Sequence, residues 1–244
     1  MSREFLSAEW RYLAMLNYRV PAEWLTPFVP VGTELDLWDG AAYVSLVGFH
    51  FRDTRLLGWP IPFHQTFEEV NLRFYVRRTV NGEVRRGVTF LRELVPMAAI
   101  AFVARLSFNE PYRTLPMRHR IEAESPNQTP TLVEYGWKGP SAWNRIRVEP
   151  TGASMPLEPG SHEEFITQHF WGYTRQRDGS TVEYEVRHPS WRIWKLRVAD
   201  LDDDSTVFDA PFAGALRRAP HSAFLADGSA VRLYFPMRLD AGRA

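Results

Sequence analysis

The sequence predicts an α+β, mostly β fold of the barrel type, in one domain covering residues 1–244. Three observations carry this. Runs in which apolar and polar residues alternate with period two recur along the chain, as in FEEVNLRFYVRR from Phe67 to Arg78. Turn dipeptides at Asp39-Gly40 and Asn81-Gly82 separate such runs in the way hairpins require. Helix starts are few, and a chain of 244 residues is an ordinary length for one β-rich domain.

The opening AEWRYLAMLNYRV reads as a short helix running into a strand, and PAEWLTPFVP as a brief helix begun by Pro21 and stopped by Pro30. A hairpin turning at Asp39-Gly40 follows, in ELDLWDGAAYVSLVGFHFRDTRL. The proline-rich loop GWPIPFHQ leads into the strand from Phe67, whose partner beyond Asn81-Gly82 is RRGVTFLRELV. PMAAIAFVA, from Pro96 to Ala104, has no polar residue and predicts a buried helix with Arg105 at its end. NEPYRTLPM reads as a loop, and the stretches HRIEAESPNQTPTLVEYGWKG and SAWNRIRVEPTG as two or three strands with SPNQTP as a turn. Ser161 and Glu164 form a capping box ahead of FITQHFW, the clearest helix start in the chain. Arg177-Asp178-Gly179-Ser180 turns into the strand TVEYEVRH, and VRLYFPM is the last strand.

Composition excludes several classes of function. The 29 basic and 29 acidic residues cancel, so no net field draws the chain to nucleic acid or to an anionic membrane. With no cysteine, disulfides, thiolate nucleophiles and zinc-thiolate sites are ruled out. No basic start with an apolar run marks a signal peptide, and no segment reaches the ~18 apolar residues of a membrane span. The expectation is a soluble cytoplasmic protein; whether it forms a homo-oligomer is left open. Nucleophile elbows, P-loops and dinucleotide fingerprints are absent, and no cofactor is implied.

If residues 67–78 form a strand, Val70, Leu72, Phe74 and Val76 share one face and Glu69, Asn71, Arg73 and Tyr75 the other. That polar row is either a solvated face or the lining of a cavity, where burial forces pairing and tunes a carboxylate. Among the histidines, His162 and His169 share a helix face but stand ~10 Å apart, too far to hold one metal, and no metal site is expected. His188, close to Trp191 and Trp194, is a partly buried loop histidine by default. Only Lys138 and Lys195 offer an amine for imine chemistry.

The order of segments resembles the bacterial DUF2071 family: WRYLAMLNY from Trp10, GTELD from Gly32, YVSLVGF from Tyr43, FEEVNLRFYV from Phe67, RGVTFL from Arg86, FITQHFWGY from Phe165 and YEVRHPSW from Tyr184. More distantly it is similar to the acetoacetate decarboxylase-like superfamily, which implies a β-barrel or cone with flanking helices around a central cavity. By that resemblance Arg19, in Tyr18-Arg19 ahead of PAEWL, takes the role of a cavity arginine, and Glu69 that of the cavity carboxylate. RELVP, from Arg92 to Pro96, matches the decarboxylase arginine-glutamate segment and brings Glu93 to the cavity. Met97-Ala98 stand where the decarboxylase has its lysine pair, and a methionine forms no imine.

With the fold carried over, Arg19 and Glu69 are the candidate catalytic pair, and Asn71, Arg73, Glu93, His169, Tyr173 and His188 the candidate substrate-binding residues. An internal Glu69 beside Arg19 or Arg73 would be ion-paired and ionised; unpaired, its pKa would rise. The implied ligand is a small organic acid or carbonyl compound, bound or turned over without a covalent amine step. Two alternatives stand beside it. One is a non-catalytic protein with a structural polar interior and protein contacts through Trp59 and Phe63; the other is Schiff-base decarboxylation through Lys195 or Lys138.

Overall fold

The computed structural model describes residues 3–98, 109–123, 129–203 and 207–239. The first half of the chain supplies β1 (Glu4–Val20), β2 (Glu34–Leu35), β3 (Ala42–Leu56), β4 (Trp59–Pro60), β5 (Phe67–Val80), β6 (Glu83–Val95) and β7 (Tyr112–Thr114). The second half supplies β8 (Met117–Ala123), β9 (Pro130–Lys138), β10 (Trp143–Pro156), β11 (Trp171–Arg175), β12 (Thr181–Arg187), β13 (Arg192–Asp202), β14 (Ser222–Tyr234) and β15 (Met237–Leu239). All of them join one hydrogen-bonded sheet.

Strands β12, β11, β6, β5, β3, β1 and β14 follow one another in that sheet, and β14 pairs back onto β12, closing a ring of seven. The closing contact is short, Val186 opposite Leu233 and Arg187 opposite Arg232. From β14 the sheet continues through β13, β10 and β9 to β8, and this extension folds over the outside of the ring.

Alternation along the strands therefore builds two cores. Val70, Leu72, Phe74 and Val76 of β5 point outward and pack with Val133, Tyr135 and Trp137 of β9 and Ile146 and Val148 of β10. Tyr75 points into the ring with Leu13, Met15, Val47, Phe49 and Val88. Neither face of central β5 meets water, which answers the question its sequence raised. The fit is tight where Tyr135 lies over Gly48 of β3: an added Cβ would sit 2.7 Å from its ring. Gly48→Ala is expected to destabilise the fold by about 1–3 kcal/mol through this overpacking, read as a lower urea midpoint at unchanged slope.

Several local expectations hold. Asn81 and Gly82 both have positive φ, 51° and 82°, as a two-residue type I′ hairpin requires, and they join β5 to β6. Ser161 caps the helix His162–Thr167, its side chain accepting from the Glu164 backbone N–H. Glu164 reaches back to accept from the Gly160 N–H, one residue before the expected partner. Asp39-Gly40 also turns tightly, bridging Trp38 to Ala41, yet β2 pairs with β5 rather than with β3.

The opening residues differ from expectation. They form no helix but the 17-residue strand β1. Its register slips between Arg11 and Ala14, where Tyr12 takes a left-handed φ of 53°. The bulge moves the inward face from Ala8 and Trp10 to Leu13 and Met15, and that spacing resembles a helical period. The helix expected over Pro96–Ala104, with Arg105 at its end, lies outside the described residues from position 99 onward, as does most of the SPNQTP turn. Among the described residues no helix is long and apolar enough to cross a membrane.

Candidate functional site

Inside the ring the inward-facing residues of β5 and β6 meet those of β7 and β12. On β5 these are Glu69, Asn71 and Arg73. Asn71 stands directly opposite Glu93 of β6, and Glu93 in turn lies beside Tyr112 of β7. A register shift of β6 against β5 after Leu72 allows both Phe90 and Glu93 to face inward although they are three residues apart. Glu110, next to β7, and Tyr184 of β12 complete the polar wall, and Trp10, Phe49, Phe51, Trp171 and Trp191 supply the apolar one. Gly172 of β11 leaves the space that Tyr184 fills, since a Cβ there would lie 2.0 Å from its Cζ.

About 70 Å³ of this cavity is open to the centre of a water molecule. At about 10–15 Å³ per water so measured, that is room for about five waters, or a ligand of similar heavy-atom count. Two larger clefts, of about 620 and 380 Å³, are more open to solvent and stand away from the carboxyl cluster. The buried titratable groups gather in the smaller space, which makes it the candidate site.

Among the described residues, three carboxyl groups, Glu69, Glu93 and Glu110, line the cavity with the guanidinium of Arg73. All three are buried, at 3%, 1% and 6% exposure. Burial pushes Glu69 up to about 7, against the pull of hydrogen bonds from Asn71 and Tyr112 and the charge of Arg73. It pushes Glu110 up to about 8 against the Tyr184 hydrogen bond, with the Glu69 charge adding to the rise. Glu93 is raised well above the usual carboxylate range, by burial first and then by the charges of Glu110 and Glu69. Burial and the mutual repulsion of the carboxylates favour the protonated forms, so the cluster holds protons at neutral pH.

The hydrogen bonds are specific. Asn71 Nδ2 donates to Glu69 Oε1 at 3.0 Å, and the Tyr112 hydroxyl donates to Glu69 Oε2 at 3.4 Å. The Tyr184 hydroxyl donates to Glu110 Oε1. Arg73 Nη2 donates to the Ile166 carbonyl at 3.4 Å, and its guanidinium stands 5.8 Å from the Tyr75 ring centre.

His169 reaches the cavity beside this cluster. Its Nε2 lies 3.3 Å from Asp36 Oδ2, which also accepts from Arg86 Nε at 2.7 Å. Burial raises Asp36, but the hydrogen bonds from His169 and Arg86 and their charges outweigh it and hold the carboxyl below its ordinary value. Burial holds His169 down to about 4, so the imidazole is neutral at pH 7. Donation from Nε2–H to the carboxylate leaves Nδ1 as a bare acceptor, buried and without a hydrogen-bond partner among the described residues. His188 also lines the space, its ring stacked on Trp191 with centres 4.2 Å apart.

Of the residues singled out in the sequence, Glu69, Asn71, Arg73, Glu93, His169 and His188 come together in this cavity. Arg19 and Tyr173 do not. Arg19 is exposed at the end of β1, where the chain leaves the ring for Pro21. Two residues back on β1, Asn17 belongs to a hydrogen-bonded chain, Tyr75–Ser45–Asn17–Ser222, and Arg19 is not among the residues lining the cavity around Glu69. Arg73 is the cation beside Glu69, and the buried Glu69 is raised rather than ionised by pairing. Tyr173 packs against Gly87, and its hydroxyl neighbours Glu183, Arg78 and Arg85 outside the cavity lining. Burial and the Glu183 charge raise that hydroxyl.

Neither lysine reaches the cavity either. Lys195 is exposed on β13, and Lys138, at the end of β9, lies 5.9 Å from the ring centre of Trp143. Met97 packs against the inner core cluster. Sequence reasoning missed Asp36, Glu110, Tyr112 and Tyr184. For Tyr184 the signal was present, because alternation in TVEYEVRH sets Val182, Tyr184 and Val186 on one face. Among the described residues no group of three or more histidine and acidic side chains is placed to hold a metal ion.

A ring of strands around a buried, carboxyl-rich cavity belongs to the acetoacetate decarboxylase-like class of fold. Acetoacetate decarboxylase from Legionella pneumophila superposes with a TM-score of 0.67 over 97% of this chain and 87% of its own, at 12% identity. An acetoacetate decarboxylase-like enzyme from Sphingomonas wittichii RW1 does so at 0.67 and 13%, over 97% and 94%. The enduracididine biosynthesis enzyme MppR complexed with pyruvate gives 0.67 and 15%, over 100% and 93%.

Within that class the chain belongs to the DUF2071 family, described as an uncharacterized conserved protein, which matches residues 7–230. It is 27% identical over 203 residues to the uncharacterized protein YqjF of Bacillus subtilis strain 168, covering 82% of this chain and 79% of that one.

Proposed function

We propose that this protein binds a small organic acid or carbonyl compound in the ring cavity and acts on it, if it turns it over, by proton transfer without a covalent amine step. The observation that carries this reading is that Glu69, Glu93 and Glu110 line, together with the Arg73 guanidinium, a space for about five heavy atoms. Arg73 would hold a carboxylate or a developing enolate, because a buried guanidinium stabilises negative charge far better than water-exposed groups do. Glu69, at about 7, can give or take a proton near neutral pH. The absence of Lys138 and Lys195 from the lining argues against imine chemistry. A similar fold is known with pyruvate bound, in MppR.

The test is a thermal-shift screen against small carboxylic acids, β-keto acids, aldehydes and lactones, repeated on Arg73→Met. A ligand present at 100 times its Kd stabilises the native state by about 2.7 kcal/mol, which is roughly 5–10 °C for a chain of this size. The expected result is such a shift in the wild type and none in Arg73→Met. If nothing moves the midpoint, the reading falls. The exposure of Trp59 at 78% and Phe63 at 96% then favours a protein-contact role instead.

A further inference from the structure

The polar atoms lining the cavity are unevenly matched. Among the described residues, Glu93 Oε2, Asn71 Oδ1 and His169 Nδ1 have no hydrogen-bond partner, and two donors of the lining, Arg73 Nε and Trp10 Nε1, are left in the same state. Glu93, Asn71, His169 and Arg73 are each at least nine-tenths buried. Glu93 and Asn71 are cross-strand neighbours, directly opposite on β6 and β5, so their orphan oxygens lie on adjoining parts of one wall. The Asn71 orientation follows from its Nδ2 bond to Glu69, and the His169 tautomer from its bond to Asp36.

Buried polar atoms without partners are costly, and a carboxyl cluster that holds its protons because burial disfavours its charge can release one to a ligand cation that takes the proton's place. One kind of chemical group meets both conditions: a cationic nitrogen, which brings several N–H donors and a positive charge together. The other walls suit it, since Trp10, Phe49, Phe51, Trp171 and Trp191 offer the aromatic faces toward which such cations are drawn.

We propose that the ligand of this cavity carries a primary ammonium group beside its acid group, with the ammonium at Glu93 and Asn71 and the acid at Arg73. This rests on the organic-acid reading above and narrows it to small amino acids of about five or six heavy atoms, a size set by the cavity. The groups facing the ammonium are Glu69, Asn71 and Arg73 from β5, Glu93 from β6, Glu110 and Tyr112 from the β7 segment, Tyr184 from β12, and His169 and His188. Glycine and propionate differ only by ammonium for methyl, which isolates the proposed contact.

The experiment is calorimetric titration of the full chain with glycine, β-alanine, propionate and methylammonium at pH 7.5, on the wild type and on Glu93→Gln and Arg73→Met. The expected result is glycine or β-alanine binding at least tenfold tighter than propionate, with that advantage lost in Glu93→Gln. Propionate binding as tightly as the amino acids, and depending on Arg73, would overturn the ammonium proposal while leaving the acid reading in place. Methylammonium binding that needs Glu93, with no response to propionate, would keep the cation contact and remove the acid reading. No heat with any probe would overturn both. Thermal midpoints of the two variants establish that they fold, and Glu93→Asp serves as a second variant if Glu93→Gln does not.

Discussion

Stability is expected to fall by a few kcal/mol as the pH rises from about 6.5 to about 8. Glu69, Glu93 and Glu110 all have folded pKa values above the unfolded carboxylate value, at about 7 for Glu69 and about 8 for Glu110. Between the unfolded and folded values the native state holds protons that the unfolded chain has released, so stability declines with rising pH across that window. His50, His162 and His169 work in the other direction. Burial first, helped by neighbouring charges, lowers each to about 4, so the unfolded chain takes up protons that the native state refuses as the pH drops below about 6.5. The two sets oppose each other between about 4.5 and 6.5, and only the carboxyl cluster acts above that. Urea denaturation at half-unit steps of pH reads this as a plateau followed by a decline. In Glu69→Gln/Glu93→Gln/Glu110→Gln the alkaline decline is expected to disappear, and its persistence there would show that other groups cause it.

Removing the cation is expected to have an effect of similar size and opposite logic. Arg73→Met removes the cation that the described residues place beside three buried carboxyls, so at pH 8 it should cost about 3–5 kcal/mol, as losing one partner of a buried ion pair does. At pH 5.5 the carboxyls retain their protons and the loss should shrink toward that of the packing and the Ile166 hydrogen bond alone. The measurement is the difference in urea midpoint between wild type and variant at the two pH values. An equal loss at both would mean that Arg73 serves the fold through packing and not through the charges of the cluster.

How much of this was legible in the sequence depended on how local the signal was. Period-two alternation in β5 identified the row Glu69, Asn71, Arg73, and the two positive-φ turn pairs marked their bends. The same alternation could not say whether the row faced water, because that is decided by β9 and β10, about sixty to eighty residues further on, covering the opposite face of β5. β1 was misread because a bulge at Tyr12 broke its alternation into a helix-like spacing. Glu110 and Tyr112 were read as loop because β7 is three residues long and pairs in parallel with β6, a contact with no hairpin turn to announce it. Arg19 is on the inward-facing row of β1 but at its last turn toward solvent, and position along a strand, unlike face, leaves no mark in a short pattern.

The hairpin of β11 and β12 supplies Trp171, Tyr184 and Val186 to the cavity wall, and its strand ladders to the rest of the ring comprise two residue pairs at β6 and two at β14. The ladders among β1, β3, β5 and β6 are far longer. Frame and cavity wall are thus drawn from different parts of the chain: one run of strands holds the shape, and a short stave carries part of the wall. A lineage could exchange the stave and acquire a different ligand while the frame that makes folding possible stayed as it was.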